Sequence, residues 1–388
     1  MNAPRFVRGL GEVGAGDRPA VGGKGASLGE LGRVGIRVPP GFVVTVGAFE
    51  RALRALDPDG SVRREIGRLP AQDAAAIAEV TGRVRARIAG APLPGDVREQ
   101  IVAGYRGLGG GDPGPGEGGE VPVAVRSSAT GEDDAETSFA GLQDTYLWVR
   151  GANAVIDHVR RCWASLYNAE AVGYRLRMKL NEQDLAMAVV VQRMVEPRCA
   201  GVMFTCSPVT GDRSVIAVEA CWGLGSALVS GDVTPDSFLV SKVTGEIVRR
   251  QVAAKLRMHR AGPGGAGVAA ADVPGLLQQV ACLRDAELAA LARLGRQVED
   301  HYGVPQDIEW AVTDGASPPE SVVLLQSRPE TVWARRRAEA VATPKARAVD
   351  HVFEQLGRVN VVAPPPAPSP PPFTPSQAPA APATRPEH

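Results

Sequence analysis

Two strand-like runs, "QDIEWAV" and "SVVLLQSR", flank the turn-rich segment "TDGASPPE". Alternate side chains of an extended chain share a face. Asp307 and Glu309 therefore fall on one face of the first run, and Gln326 and Arg328 on one face of the second. A hairpin closing symmetrically about the turn sets Glu309 close to opposite Gln326. Two carboxylates, an amide oxygen and a guanidinium on one surface suit a magnesium–phosphate site. Mg²⁺ takes hard oxygens from one or two carboxylates plus substrate phosphates, and arginine adds a forked donor. A solvent-facing strand with a surface ion pair, contributing about 0–1 kcal/mol, fits the hairpin equally well.

Two more stretches have anion-binding character. "VGGKGASLGEL" places Lys24 among Gly22, Gly23 and Gly25 just before a helix. Glycines let backbone N–H groups approach a phosphate, and a helix N-terminus favours negative charge. It is not a Walker A loop, because Arg18 stands at the first glycine and Gly25 stands where Ser or Thr would hold magnesium. A plain glycine turn is the alternative. In "VAVRSSATGEDDAETSFAG", Arg126 follows an apolar run. A buried charge without a partner costs several kcal/mol, so Arg126 must meet either a carboxylate of the protein or a ligand anion. Ser127, Ser128, Thr130 and Gly131 offer hydroxyl and amide donors to phosphate, whereas Asp133, Asp134 and Glu136 face water or a partner. "CWGLGSALVSGD" is a weaker signal, with Leu228 at the third glycine of a dinucleotide fingerprint. The G-x-S-x-G and H-E-x-x-H templates are absent, and no cysteine pairs with a histidine at motif spacing.

The elements that must position these residues follow from composition and period. A length of 388 residues suggests roughly two to three domains. Lys plus Arg and Asp plus Glu balance at 43 each, so overall charge suggests neither nucleic acid nor a membrane surface as a partner. Any anion site must be local. The five cysteines form no C-x-x-C pair, which fits reduced, buried thiols, and the N-terminal stretch lacks the apolar core of a signal peptide. The expected compartment is the cytoplasm. Glycine-rich stretches at 107–119 and 261–275 read as flexible surface connections. From about Val361 the chain is proline- and alanine-rich and reads as a disordered tail, or at most a polyproline II ligand.

Alternating helix and strand patterns up to Leu56 suggest α/β or α+β layering. "VPVAV" reads as a buried strand, and "NAVIDHVRRCWASLYN" as a helix with Val155, Val159, Cys162, Trp163 and Leu166 on one stripe. His158 beside it reads as a solvated helix residue. "AMAVVVQRMV", "AGVMFT" and "SVIAVEA" read as strands of a central sheet. Asp285 can cap the helix "AELAALARLGRQVEDHY", which Gly303 stops. His301, in its last turn, suits the helix dipole and takes no catalytic role.

Taken in order, "GGKGASLGELGRVGIRVPPGFVVT", "VRSSATGEDDAETSFAGLQDTYL", "VVVQRMVEPRCAGVMFTCSPVTGD", "GDVTPDSF" and "DIEWAV…LLQSRPET" resemble one family over about Gly22 to Thr331. It is the ATP-binding portion of the phosphoenolpyruvate synthase, pyruvate phosphate dikinase and rifampicin phosphotransferase group. The resemblance implies an α+β ATP-grasp fold, with lobes at 1–187 and 188–335 enclosing a nucleotide cleft and a linker and tail at 336–388. It implies ATP and Mg²⁺ as cofactors. Lys24 falls at the family's phosphate-binding lysine, Arg126 at its arginine, and Gly141 and Thr145 in its nucleotide loop. Gln192 falls in the hinge on the adenine side, and Asp307, Glu309, Gln326 and Arg328 fall at the magnesium and triphosphate positions. Lys24, Arg126 and Arg328 would form the catalytic set with Mg²⁺. The family passes the β-phosphoryl group of ATP to a histidine on a mobile domain. None of His158, His259, His301, His351 and His388 lies in the glycine-rich, hydroxyl-flanked setting of that histidine, and no barrel-sized region follows Thr331. The acceptor is therefore expected on a separate protein. Ser226 stands where the family usually has glutamate. An ATP-binding regulatory module without catalysis and a stand-alone ATP-grasp kinase or ligase are the competing readings.

Overall fold

The computed structural model describes residues 4–109, 120–130, 144–182, 185–331 and 333. The chain divides into Met1–Arg336 and Arg337–His388, and the second unit lies outside the described residues. Gly141, the acidic cluster Asp133, Asp134 and Glu136, most of the first glycine-rich stretch and the proline-rich tail also lie outside them.

Two antiparallel sheets carry the first unit. The first sheet runs in the order β1 (Val7–Gly9), β2 (Gly41–Val44), β5 (Met187–Arg193), β3 (Val123–Ala129) and β4 (Thr145–Val149). Its central strand β5 reads as a continuous apolar run because both faces are covered. Met187, Val189 and Val191 join the core with Phe49, Trp163 and Tyr167, while Ala188 and Val190 join a second core with Leu10, Val21 and Leu28. The first of these cores is roofed by α2 (Val46–Leu56), α3 (Ser61–Gly67), α4 (Ala74–Gly90), α5 (Gly95–Leu108), α6 (Ala152–Ser165) and α7 (Ala169–Met178). The expected stripe of α6 is buried, with Trp163 edge-on to Phe49 at 5.8 Å. The opposite face of the sheet takes α1 (Arg18–Arg33).

The second sheet runs β13 (Val322–Pro329), β12 (Gln306–Val312), β6 (Cys199–Phe204), β7 (Val215–Trp222), β8 (Asp236–Ser241), β9 (Ile247–Gln251). Helix α9 (Asp285–Tyr302) buries Leu288, Leu291 and Val298 in a core shared with Met203, Ile308 and Trp310. The short helix α8 (Ser226–Val229) follows β7, and β10 (Arg257–Ala261) pairs with β11 (Val268–Asp272) in a separate hairpin. The mixed α+β character matches the expectation.

Three expectations about elements need correction. The three apolar runs around 186–220 do not share one sheet. The chain leaves the first sheet after Arg193 and enters the second at Cys199, with Pro197 in the crossing. The change of sheet thus lies a few residues beyond the expected lobe limit of 187/188. The glycine-rich stretch at 261–275 is no plain connection, since it contains β11 and its glycines Gly264, Gly265 and Gly267, at φ +69°, +72° and +66°, make the turn of a hairpin. The N-cap of α9 is Arg284 rather than Asp285. The Arg284 N–H donates to Glu287 Oε2 at 2.8 Å. That bond closes the first turn from within. Gly303 ends the helix at φ +70°, as expected of a left-handed cap.

The β12/β13 hairpin forms in the expected register, with Asp307 facing Arg328 and Glu309 facing Gln326. Helix α1 joins the two sheets. Ser27 Oγ donates to Ser327 O at 2.7 Å, and Gly22, at φ +70°, kinks the helix where it meets β3.

Candidate functional site

A cavity of about 360 Å³ opens between the sheets. Arg126, Thr145 and Gln192 line it from the first sheet, and Gly201, Glu309 and Trp310 from the second. Arg126 is the residue that spans it. The arginine is 8% exposed and sits inside β3 rather than after it. Its Nη1 donates to Leu325 O at 2.8 Å, and its Nη2 donates to Glu309 Oε2 at 2.9 Å and to Gln326 Oε1. The buried charge has therefore found a carboxylate of its own chain. Its Nε is buried without a hydrogen-bond partner, an orphan donor beside an acidic and amide cluster.

Asp307 and Arg328 extend the cluster along the same hairpin face, with Arg328 Nε donating to Asp307 Oδ2 at 3.3 Å. Asp307 Oδ1 is buried with no partner. Burial pushes the Asp307 carboxyl up to about 6, against the opposing pull of the Arg328 charge, with Glu330 adding repulsion. The folded protein therefore holds this proton more tightly than the unfolded chain does. Stability from this group is full below the unfolded value of 3.8 and is lost as pH rises toward about 6. In buffer free of divalent cations, denaturation midpoints should fall across that window for the wild type. Asp307→Asn should flatten the slope, and an unchanged slope would show that another group is responsible.

Five of the expected site residues thus lie in two hydrogen-bonded sets, Arg126 of β3 with Glu309 and Gln326, and Asp307 with Arg328, the last four of these on the β12/β13 hairpin. Thr145 pairs with Arg126 across β3 and β4 and lines the cavity. Gln192 lines it too, yet its Nε2 donates to Pro39 O at 3.1 Å, so that group is already engaged. Lys24 lies in α1 and is not among the cavity-lining residues.

The expected hydroxyl-rich phosphate turn is corrected in part. Ser127 and Ser128 are buried strand residues. Ser128 Oγ donates to Val21 O at 2.8 Å and receives Gly25 N–H at 3.1 Å, which occupies the hydroxyl in holding α1. Thr130 Oγ1 donates to Ala186 O at 3.5 Å. His158, expected to be solvated, is part-buried, with its ring edge-on to Tyr146 at 4.6 Å.

The wall made by Leu224, Gly225, Ser226, Val229 and Ser230 comes from the stretch that reads as the weaker glycine-rich signal, and the sequence does not give its place beside the cavity. The local signal is Gly223, which sits at φ +70° where a Cβ would come within 2.3 Å of His259 O. Met194 and Val195, in the crossing between the sheets, also line the cavity.

Two antiparallel sheets flanking a cavity lined by a buried arginine and a carboxylate make this an α+β domain with a charged cleft. The chain belongs to the pyruvate phosphate dikinase AMP/ATP-binding domain family, whose model matches residues 18–348. It is 42% identical over 338 residues to a probable phosphoenolpyruvate synthase of Methanothermobacter thermautotrophicus, covering 86% of this chain and 47% of that protein. To a phosphoenolpyruvate synthase of Aeropyrum pernix it is 40% identical over 367 residues, covering 88% and 44%. To a rifampicin phosphotransferase of a Streptomyces species it is 42% identical over 328 residues, covering 84% and 36%. The chain thus spans less than half the length of these relatives. No helix among the described residues is long and apolar enough to cross a membrane.

Proposed function

We propose that this chain is the nucleotide-binding part of a dikinase-type phosphotransferase, with an ATP-grasp fold whose lobes grip Mg-ATP. It would pass the β-phosphoryl group to a histidine on a separate swivelling domain or subunit, releasing AMP and phosphate. The observation that carries this reading is Arg126, which lines the cavity, reaches from the first sheet to Glu309 and Gln326 of the second and has a buried Nε–H without a partner. The cytoplasm is the compartment in which such an enzyme would work.

The donor set fits magnesium. Asp307 Oδ1, buried and unpartnered, stands with Glu309 and Gln326 on one hairpin face and offers hard oxygens of the kind Mg²⁺ prefers. No group of three or more His, Cys, Asp or Glu able to hold a metal occurs among the described residues. That agrees with an ion held by one or two carboxylates, an amide oxygen and the phosphates themselves. When bound, the ion would neutralise charge on the phosphate oxygens.

Phosphoryl transfer depends on positioning and on offsetting charge. Arg126 and Arg328 would bind phosphate oxygens while Glu309 and Asp307 keep the guanidinium groups in place. Lys24, carried on α1, would supply a further cation to the same phosphates. Thr145, Gln192 and the loop at Gly141 would contact the nucleotide on the first-lobe side. The chemistry would then be completed by the acceptor histidine arriving at the mouth of the cleft.

Incubating the purified chain with β-labelled ATP and candidate histidine-domain proteins tests this. Label on the partner with AMP in solution is the expected result. ADP made by the chain alone would identify a self-contained kinase or ligase, and bound ATP without turnover under any partner would identify a regulatory module.

A further inference from the structure

The β10/β11 hairpin is rooted beside the second sheet and lands on the first. At its root, Gly223 and Leu224, just past the end of β7, bridge His259, and Leu224 N–H donates to His259 O at 2.8 Å. At its tip, Gly267 N–H donates to Trp148 O at 3.2 Å, and Gly265 O accepts from Arg150 Nε at 2.6 Å. Both ends adjoin the cavity wall, which Leu224 lines from one side and Thr145 and Leu147 of β4 from the other. The two sheets are therefore pinned at opposite ends of β4. At one end Thr145 pairs with Arg126, which reaches Glu309 of the second sheet. At the other end, beside Trp148 and Arg150, sits the hairpin tip.

The two pins differ in kind. Arg126 is buried and ion-paired, and breaking such a pair leaves an uncompensated charge. The tip is exposed at Gly264, Ala266 and Gly267 and is held through two hydrogen bonds to the first sheet. Local opening is cheapest where few buried contacts hold exposed backbone. The landing site is also strained. Trp148 has φ +57° and falls where the β3/β4 register shifts. A non-glycine residue adopts that left-handed conformation only at a cost, and such residues gather in segments that switch. The buried indole N–H of Trp148 has no hydrogen-bond partner to offset the cost.

We propose that the hairpin tip is a releasable clasp between the two sheets, and that its release is the step that lets a nucleotide enter and leave the cavity. The gating role rests on the nucleotide reading of the cleft, whereas the clasp itself does not. Release frees the Trp148 end of β4 while the Arg126 end stays joined, so the sheets part on one side only. Entry and exit then share one barrier, set by the bonds at the tip.

Two variants break the clasp from opposite sides. Replacing residues 262–267 by Asn-Gly closes β10 and β11 with a two-residue turn that keeps the Ala261–Val268 pair and removes the groups that bond to Trp148 and Arg150. Arg150→Ala removes the donor to Gly265 O. Stopped-flow binding of a fluorescent ATP analogue with Mg²⁺ to the full chain reads both rate constants. Each variant should raise association and dissociation together by about tenfold, the effect of one ordinary hydrogen bond on an opening equilibrium. Unchanged rates overturn the gating role, and so does faster dissociation alone, the mark of a lost ligand contact. Arg150 also donates to Glu120 O at 2.5 Å, so a rise confined to Arg150→Ala assigns the effect to that bond and overturns it too. Hydrogen exchange of the Gly267 amide in nucleotide-free, glycine-labelled protein, followed by NMR, tests the clasp independently. The amide should exchange through local opening that Arg150→Ala accelerates, and exchange only through global unfolding would show a permanent contact. A chain that binds no nucleotide sinks the cleft reading, and the Gly267 exchange then decides alone whether the tip releases.

Discussion

Replacing Arg126 by alanine should weaken Mg-ATP binding by about 10²–10³-fold, the effect expected when one member of a buried ion pair is removed and its partners are left unpaired. Three acceptors lose their donor at once: Glu309 Oε2, Gln326 Oε1 and Leu325 O. Glu309 would then present an uncompensated negative charge to the incoming phosphates, so repulsion adds to the lost attraction. Arg126→Lys should recover little, because an ammonium is a single point charge and cannot span two side chains and a carbonyl as a planar fork does. Calorimetric titration with Mg-ATP, run beside circular dichroism to confirm folding, reads the outcome. Arg328→Ala should act in the same direction more weakly, since its side chain is 46% exposed and its ion pair is with Asp307. Near-normal affinity in folded Arg126→Ala would move the phosphate end of the site elsewhere.

Gly22→Val should cost at least about 4 kcal/mol of stability, a range reached only through a specific steric or polar failure. Gly22 has φ +70°, and a Cβ there would come within 2.0 Å of Ser128 O. A β-branched residue is strained at such a φ even where space is open. The Ser128 carbonyl is backbone of a central strand and cannot swing aside. Moving α1 away to relieve the overlap would also break the bonds that Ser128 Oγ makes to Val21 O and Gly25 N. Urea unfolding followed by tryptophan fluorescence should show a lower midpoint for Gly22→Val, and for Gly22→Ala a smaller loss in the same direction. A midpoint within experimental error of wild type would mean that the helix is not seated on β3 in this way.

Much of the charged hairpin was legible in the sequence, for a definite reason. Period-two alternation and a turn of defined position leave one symmetric register, and that register sets Glu309 against Gln326. Arg126 was legible as a buried charge in need of a counter-charge, although the identity of Glu309 as that partner was not, because 183 residues separate them. Sheet membership was less accessible. β5, β6 and β7 have similar compositions, and only tertiary packing sends the first to one sheet and the others to another. The role of Ser128 was hidden because a hydroxyl beside a glycine-rich turn looks the same whether it faces a ligand or a helix backbone. The place of the Ser226 stretch in the cavity wall and the β10/β11 hairpin escaped because their glycines signal turns without saying what the turns approach.

The bond between Arg126 and Gln326 spans 200 residues, and that between Ser27 and Ser327 spans 300. On the ribosome, where elongation proceeds at about 5–20 residues per second, Arg126 therefore emerges roughly 10–40 seconds before the hairpin whose Glu309, 183 residues on, neutralises it. Until then a growing polypeptide carries a charged side chain in an apolar strand with no counter-ion, and nucleotide cannot rescue it because half the binding wall has yet to be made. Molecular chaperones would find their substrate in this interval, and ATP would begin to favour the native state only once β13 has been translated.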